Sequence, residues 1–321
     1  MNEKQSIIKK IMSWSEIGTL IPMALICLVC LIINPAFFAY RNIIDILRSA
    51  STSLIVAVPM TFLLASGAMD LSIGAATSFG GIACALLLSW NFPIVLAILG
   101  GLTCGILIGF LNGIICVKHK MPPFIATLGM QYMLNGLITV ITGGVSITNW
   151  SATSFKLLGQ GKLGGIPLLI IYAAVVTIVG HFVLKYTRFG RSVLAVGGNK
   201  ETAFLAGINV DKIKITCNIL ASSFAALAGI LMAARYNTAQ TAAGSGTEMT
   251  IMASVIIGGT SHRGGSASIF GTILGCILLG CIKNALIVCN VSTYWMNFIY
   301  GLILLAALYI DKYRRKTMGL Q

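Results

Sequence analysis

Residues 71–117 read LSIGAATSFGGIACALLLSWNFPIVLAILGGLTCGILIGFLNGIICV, and no charged residue occurs among them. A membrane-spanning helix needs about 20 mostly apolar residues, so this stretch is long enough for two spans. We place these spans at residues 71–90 and 93–117. The stretch therefore predicts two consecutive transmembrane helices.

The rest of the chain contains further long apolar stretches of this kind. Of 321 residues, 57% are hydrophobic and 9% are charged, whereas roughly a quarter are charged in an ordinary soluble domain. This composition predicts an all-α, polytopic integral membrane protein with about ten transmembrane helices. The ten predicted spans cover residues 17–38, 50–69, 71–90, 93–117, 123–143, 164–184, 214–234, 248–262, 266–286 and 291–310.

The distribution of basic residues predicts the orientation of these spans. If both termini lie in the cytoplasm, 16 of the 22 Lys and Arg residues fall on the cytoplasmic side, as the positive-inside rule requires. We therefore expect a cytoplasmic N-terminus over residues 1–16, a transmembrane domain over 17–310 and a cytoplasmic tail over 311–321. A polar loop at about residues 186–213 is also expected in the cytoplasm.

Composition argues against two other classes of function. The formal net charge of +14 could indicate nucleic-acid binding, but the basic residues are spread between apolar segments rather than clustered. His119, His181 and His262 lie in separate segments, and the nine cysteines lie mostly in apolar runs. The sequence thus predicts no metal site and no catalytic group of an enzyme.

A stripe of glycines runs along the fourth predicted span. These residues fall largely at four-residue spacing, which places them on one face of a helix where small residues allow close helix packing. The stripe consists of Gly100, Gly101, Gly105, Gly109 and Gly113. It predicts either packing within one bundle or a contact between two copies of the chain.

Asp70 lies between two apolar runs, in Ser66-Gly-Ala-Met-Asp70-Leu-Ser72. A carboxylate is costly in lipid, so it must face water or protein partners. One interpretation is a helix break that lines a solute pathway. The other is a tight turn in which Asp70 caps the next helix through Ser72.

Further pathway candidates are polar residues inside otherwise apolar segments, including the glycine-rich segment 256–271. For the four candidates inside apolar helices, Asn112, Gln131, Asn135 and Asn218, hydrogen bonding between helices is the alternative role. With Asp70 and Ser72, the candidates are Asn112, Gln131, Asn135, Asn218, Thr260 and Ser261.

The loop at 187–212 carries signals for its own short helix. Asn199 is a plausible N-cap, Glu201 falls in the first turn and Gly207 ends the helix. Such a helix would expose an apolar run to the cytoplasm, which indicates a socket for another protein. The run expected to be exposed is Ala203, Phe204, Leu205 and Ala206.

Five pieces of the sequence carry a family resemblance. They are LLASGAMDLSIG (63–74), MPPFIATLGMQYMLNGL (121–137), TRFGRSVLAVGGNKETAFLAGI (187–208), IIGGTSHRGGSASIFGT (256–272) and YWMNFIYGLILLAALYIDKYRRK (294–316). Together they closely resemble the ribose/xylose/arabinose-type permeases of bacterial ATP-binding-cassette importers.

The resemblance implies a set of partners for a chain in the bacterial cytoplasmic membrane. Two permeases, identical or related, would form the pathway. A separate cytoplasmic ATPase would use the ATP, and an extracytoplasmic binding protein would deliver the sugar. The chain itself would bind no cofactor, in keeping with the absence of any Gly-x-x-x-x-Gly-Lys-Ser/Thr motif.

The resemblance also implies that the 187–212 loop is the coupling segment that seats into the ATPase. The matched residues there are Phe189, Gly190, Arg191, Gly197, Asn199, Ala203, Gly207 and Ile208. A secondary transporter that works alone remains the alternative function.

Overall fold

The computed structural model describes residues 17–148, 150 and 152–292, together with eight positions between 294 and 309. The predicted N-terminal segment 1–16, the predicted tail 311–321 and half of the tenth predicted span, 291–310, lie outside the described residues.

Among the described residues, the secondary-structure elements are α-helices, two short 3₁₀ helices (Pro35–Phe38 and Thr153–Lys156) and one short hairpin. The hairpin pairs β1 (Lys162–Leu163) with β2 (Ile166–Pro167) in antiparallel register. The helices are α1 (Ile17–Ile33), α2 (Tyr40–Ala65), α3 (Ile73–Ser89), α4 (Ile94–Val117), α5 (Pro123–Thr142), α6 (Leu157–Gln160), α7 (Leu168–Tyr186), α8 (Arg188–Gly198), α9 (Lys200–Leu205), α10 (Val210–Tyr236), α11 (Thr247–Ile257) and α12 (Ile269–Val288).

The long apolar helices agree with the predicted spans. Within the described residues, six helices are long and apolar enough to cross a membrane: α2, α4, α5, α7, α10 and α12. Three shorter apolar helices, α1, α3 and α11, fall on the first, third and eighth predicted spans. The prediction of an all-α, polytopic membrane protein is therefore confirmed.

Helix α10 lies at the centre of the bundle, packed against α2, α3 and α4. The glycine stripe of α4 makes this close packing possible. A Cβ added at Gly109 would lie 2.5 Å from the carbonyl oxygen of Asn218 in α10, and one at Gly105 would lie 2.6 Å from Ala226 Cβ. The stripe thus packs within the bundle, which is the first of the two predicted alternatives.

Two helices differ in length from their predicted spans. Helix α2 begins at Tyr40, whereas the predicted span began at residue 50. Its first turns tolerate charged residues, and Arg48 forms an ion pair with Asp45 there at 3.6 Å. Helix α11 ends at Ile257, whereas the predicted span extended to residue 262. The helix is shorter because the chain turns at Gly258 and Gly259. Gly259 has a φ of 96°, which favours glycine.

Candidate functional site

The segment between α7 and α10 forms two short helices at one end of the bundle. Helix α8 is capped by Thr187, whose Oγ1 accepts a hydrogen bond from the Gly190 amide at 3.2 Å. The predicted N-cap of the next helix is confirmed: Asn199 Oδ1 accepts from the amides of Glu201 and Thr202 at 2.9 and 3.0 Å. Gly207, with a φ of 80°, follows the end of α9.

Helix α9 exposes two large apolar side chains. Phe204 is 71% exposed and Leu205 is 85% exposed. Ala203 was expected on the same exposed face. This expectation is wrong, because Ala203 is only 3% exposed and is therefore buried against the rest of the protein. Ala206 is exposed as expected.

The other predicted coupling residues lie around this face. Phe189 is half-buried and stacks on Phe62 of α2, with the ring centroids 6.0 Å apart. Gly190 is buried against the last carbonyl groups of α7. Arg191 and Glu201 are exposed, and Ile208 is half-buried with its amide bonded to the carbonyl oxygen of Ala203 at 3.0 Å.

The end of α8 meets two glycine-rich turns at a place we call the glycine junction, which consists of Gly67, Gly197, Gly264 and Gly265. The Gly265 amide donates a hydrogen bond to the carbonyl oxygen of Ala65, at the end of α2, at 2.9 Å. A Cβ added at Gly197 would collide with that same oxygen and lie 2.6 Å from the Gly265 nitrogen. The junction therefore brings the ends of α2 and α8 against the turn that precedes α12.

Asp70 lies in a buried hydrogen-bond network. Its Oδ1 accepts from the amide and the hydroxyl of Ser72 at 2.7 and 2.6 Å. Its Oδ2 accepts from Asn112 Nδ2 at 3.1 Å and from Ser222 Oγ at 3.2 Å. All four residues are fully buried, so Asp70 fastens the turn before α3 to α4 and α10. Its side chain bonds Ser72, the N-cap residue, and not an amide group of α3 itself. A role of these residues in the pathway stays a prediction.

A second buried carboxylate, Glu248, was not among the sequence candidates. Gln131 Nε2 of α5 donates to Glu248 Oε1 at 3.1 Å, and Glu248 is 8% exposed. Its Oε2 has no hydrogen-bond partner among the described residues and lies against Gly74, where an added Cβ would collide with it. Glu248 stands in the first turn of α11, so sequence reasoning treated it as a residue near a span end.

The remaining pathway candidates are scattered. Asn135 is exposed on α5, and Asn218 is buried with its side-chain amide donating to the carbonyl oxygen of Lys214 at 2.9 Å. Thr260 is buried, and its Oγ1 accepts from the Ser268 amide at 3.4 Å. Ser261 is half-buried and accepts from the Arg263 amide at 3.2 Å. Within the described chain, these residues do not form one cluster.

A partly open cavity of about 290 Å³, lined by both polar and apolar groups, lies between α2, α11 and α12. We call it the hydroxyl cavity. Sequence reasoning missed it, because serine and threonine in apolar helices commonly bond their own backbone and give little signal. Its lining consists of Ser49, Ser53, Ser245, Gly246, Thr247, Thr250, Ser254, Cys276, Leu279, Gly280, Lys283 and Leu286.

The apolar helices and the polar segment at one end of the bundle define a multi-pass membrane protein. Residues 42–308 match the model of a family described as the permease component of the branched-chain amino acid transport system. The chain therefore belongs to this family: it is the permease component of an ATP-binding-cassette importer and not itself an enzyme.

Curated relatives cover almost the whole chain. The ribose import permease protein RbsC of Haemophilus influenzae is 38% identical over 296 residues, which cover 91% of this chain and 92% of the relative. RbsC of Bacillus subtilis is 33% identical over 298 residues, covering 92% of each chain. The L-arabinose transport system permease protein AraH of Escherichia coli is 33% identical over 304 residues, covering 95% of this chain and 92% of the relative. No solved structure matches the chain.

Proposed function

We propose that this chain imports a monosaccharide across the bacterial cytoplasmic membrane, driven by separate ATPase subunits and fed by an extracytoplasmic binding protein. The names of the similar proteins support the substrate class, since they concern ribose and L-arabinose. Both are small, neutral, polyhydroxylated solutes.

The exposed apolar pair on α9 carries the proposal of an ATPase partner. Phe204 and Leu205 are 71% and 85% exposed on a segment whose neighbours are polar or charged, such as Lys200 and Glu201. Apolar side chains presented on a polar surface indicate a protein interface. In this proposal the pair fills a groove of the ATPase, and α8–α9 is the coupling segment.

The glycine junction is the contact through which the coupling segment can transmit a displacement to the bundle. Helix α8 ends on Gly197 and Gly198, and Gly197 packs against both the end of α2 and the turn before α12. Because backbone atoms are in direct contact there, a displacement of α8 must displace its neighbours. We propose that the ATPase moves the bundle through this contact.

The proposed topology has ten spans, with both termini and the α8–α9 segment in the cytoplasm. The 16 to 6 division of Lys and Arg between the two sides supports it. A second copy of the chain, or a related permease, completes the pathway in this proposal.

Copurification and transport test the proposal together. The tagged chain, solubilised from membranes that also contain its cognate ATPase and binding protein, should retain the ATPase. Membrane vesicles with the three components should take up D-ribose or L-arabinose only when ATP is present. ATP-independent uptake by the purified chain alone would instead establish a secondary transporter, and loss of the ATPase on purification would argue against the coupling role.

A further inference from the structure

The hydroxyl cavity draws its polar groups from three helices and the segment before α11. Ser49 and Ser53 lie four residues apart and therefore on one face of α2. Thr247, Thr250 and Ser254 are three and four residues apart and share a face of α11, and Ser245 lies just before that helix. Lys283 is on α12, on the same helical face as Cys276 and Leu279. The lining thus combines hydroxyl groups and one ammonium group with the apolar side chains of that face of α12.

The hydroxyl groups differ in what they can offer a ligand. Thr247, Thr250 and Ser254 donate their hydroxyl protons to backbone carbonyl oxygens of Gly244, Gly246 and Thr250, at 2.6, 3.3 and 2.9 Å. Their oxygen lone pairs are still available as acceptors.

Three further hydroxyl groups are free to donate as well as accept. The side chains of Ser49, Ser53 and Ser245 make no hydrogen bond within the described chain, and Lys283 makes no ion pair with any described residue. The lining contains no carboxylate.

We propose that the hydroxyl cavity is the place where the permease holds its sugar during transport. A monosaccharide carries hydroxyl groups that both donate and accept, which suits the serine and threonine hydroxyls of the lining, and its C–H faces suit the apolar side chains Leu279 and Leu286. Lys283 supplies three N–H donors to sugar oxygens. The volume of about 290 Å³ is at the small end of ligand pockets, so it suits one monosaccharide rather than a longer chain. This inference rests on the proposed function.

The position of the cavity fits a transport step. Its lining reaches from Ser49 to Ser53 of α2, from Thr247 to Ser254 of α11 and from Cys276 to Leu286 of α12. The glycine junction lies beyond the C-terminal ends of α2 and α11 and before the N-terminal end of α12. Helix α11 has 11 residues and is therefore about 16 Å long. It begins at the cavity and leads directly to the turn that contains Gly264 and Gly265. A displacement at the junction can thus reach the cavity through one short helix.

The first test measures transport with the complete importer and saturating, sugar-loaded binding protein. Lys283→Met and the double variant Ser53→Ala with Thr250→Val should each lower the maximal uptake of D-ribose or L-arabinose by about three- to tenfold, since each removes hydrogen bonds to the sugar. Thr52→Val, also on α2 but outside the lining, is the matched control and should transport normally.

The second test reports occupancy directly and does not depend on the turnover of those variants. Ser53→Cys, in a background without the nine native cysteines, should react with a small maleimide. A large excess of D-ribose or L-arabinose should slow this reaction, whereas the same concentration of glycine betaine should not. Leu163→Cys, on the hairpin, should react equally with and without sugar.

The outcomes separate the two proposals. If the wild-type importer takes up neither pentose, the proposed substrate class fails. If it takes up a pentose, but the cavity variants transport normally and sugar does not protect Ser53→Cys, then the hydroxyl cavity is not the sugar site and only this inference fails.

Discussion

Phe189 stacks on Phe62, with ring centroids 6.0 Å apart and ring planes 24° apart. The stack joins the first turn of α8 to the last turn of α2, where Phe62 lies five residues before Gly67 of the glycine junction. Helix α8 is therefore attached to α2 at both of its ends, through an aromatic contact and through Gly197. This double attachment makes α8 suited to move as one body with the end of α2.

Replacement of Gly197 by alanine tests the junction. The new methyl group would collide with the Ala65 carbonyl oxygen, and a backbone atom cannot rotate aside. Overpacking a close contact costs about 1–3 kcal/mol, and about 1.4 kcal/mol is tenfold in an equilibrium. We expect Gly197→Ala to lower ATP-dependent pentose uptake in vesicles by about tenfold while the chain still inserts into the membrane.

Gly198→Ala is the control for this change. A Cβ added at Gly198 would contact only the Gly265 Cα, at 3.9 Å, which is ordinary packing. Equal uptake by both variants would show that the close contact at Gly197 does not matter for coupling.

Replacement of Leu205 by aspartate tests the exposed pair on α9. Leu205 is 85% exposed, so the change should leave the thermal stability of the purified chain within about 0.5 kcal/mol of wild type. We expect retention of the ATPase on the tagged chain to fall strongly, because a charge would enter an apolar interface. Leu163→Asp, at a 66% exposed position on the hairpin, should retain the ATPase fully; a similar loss in both would refute the assignment of the interface.

Replacement of Asp70 by asparagine tests the buried network. An amide offers one oxygen in place of two, so Asn112 and Ser222 would lose an acceptor. Leaving such buried groups unpaired costs about 1–3 kcal/mol. We expect a corresponding loss of thermal stability in detergent. Asp45→Asn, which removes only a half-exposed surface ion pair, should change stability by about 0.5 kcal/mol or less; equal effects would contradict the structural role of Asp70.

Replacement of Gly109 by valine tests the packing of α4 on α10. The new side chain would meet the backbone of Asn218 and Ile219 at 2.5 and 2.6 Å, so the two helices would have to separate. We expect little folded protein in fluorescence-detected size-exclusion chromatography. Gly136→Val, at a position on α5 with nothing within 4 Å, should yield folded protein at nearly the wild-type level, and the reverse order would overturn the packing described above.

Local signals in the sequence were sufficient for most of the fold. Charge-free length located the nine apolar helices found among the described residues, because lipid leaves the backbone few alternatives to a helix. Asn199 and Gly207 fixed the bounds of α9, since capping depends on residues within one turn. The start of α2 at Tyr40 was not predictable from the absence of charge, because interfacial turns carry charged residues such as Arg41 and Arg48.

The sites depend on contacts that single-sequence patterns do not encode. Asp70 could be recognised as unusual, but its partners Asn112 and Ser222 lie 42 and 152 residues away in the sequence. Ala203 was expected to be exposed because α9 was considered without the helices beneath it. The hydroxyl cavity was missed because it forms only where faces of three distant helices meet.

In the proposed topology α8–α9 faces the cytoplasm, where an ATPase can reach it, and the coupling role depends on this claim. Labelling of intact cells with a membrane-impermeant maleimide tests this claim most directly, using Leu205→Cys and Leu163→Cys in a background without native cysteines. Leu163 lies on the hairpin that precedes α7, whereas Leu205 follows the opposite end of that helix. We predict that Leu163→Cys is labelled in intact cells and that Leu205→Cys is labelled only after permeabilisation; labelling of Leu205→Cys from outside would contradict the account.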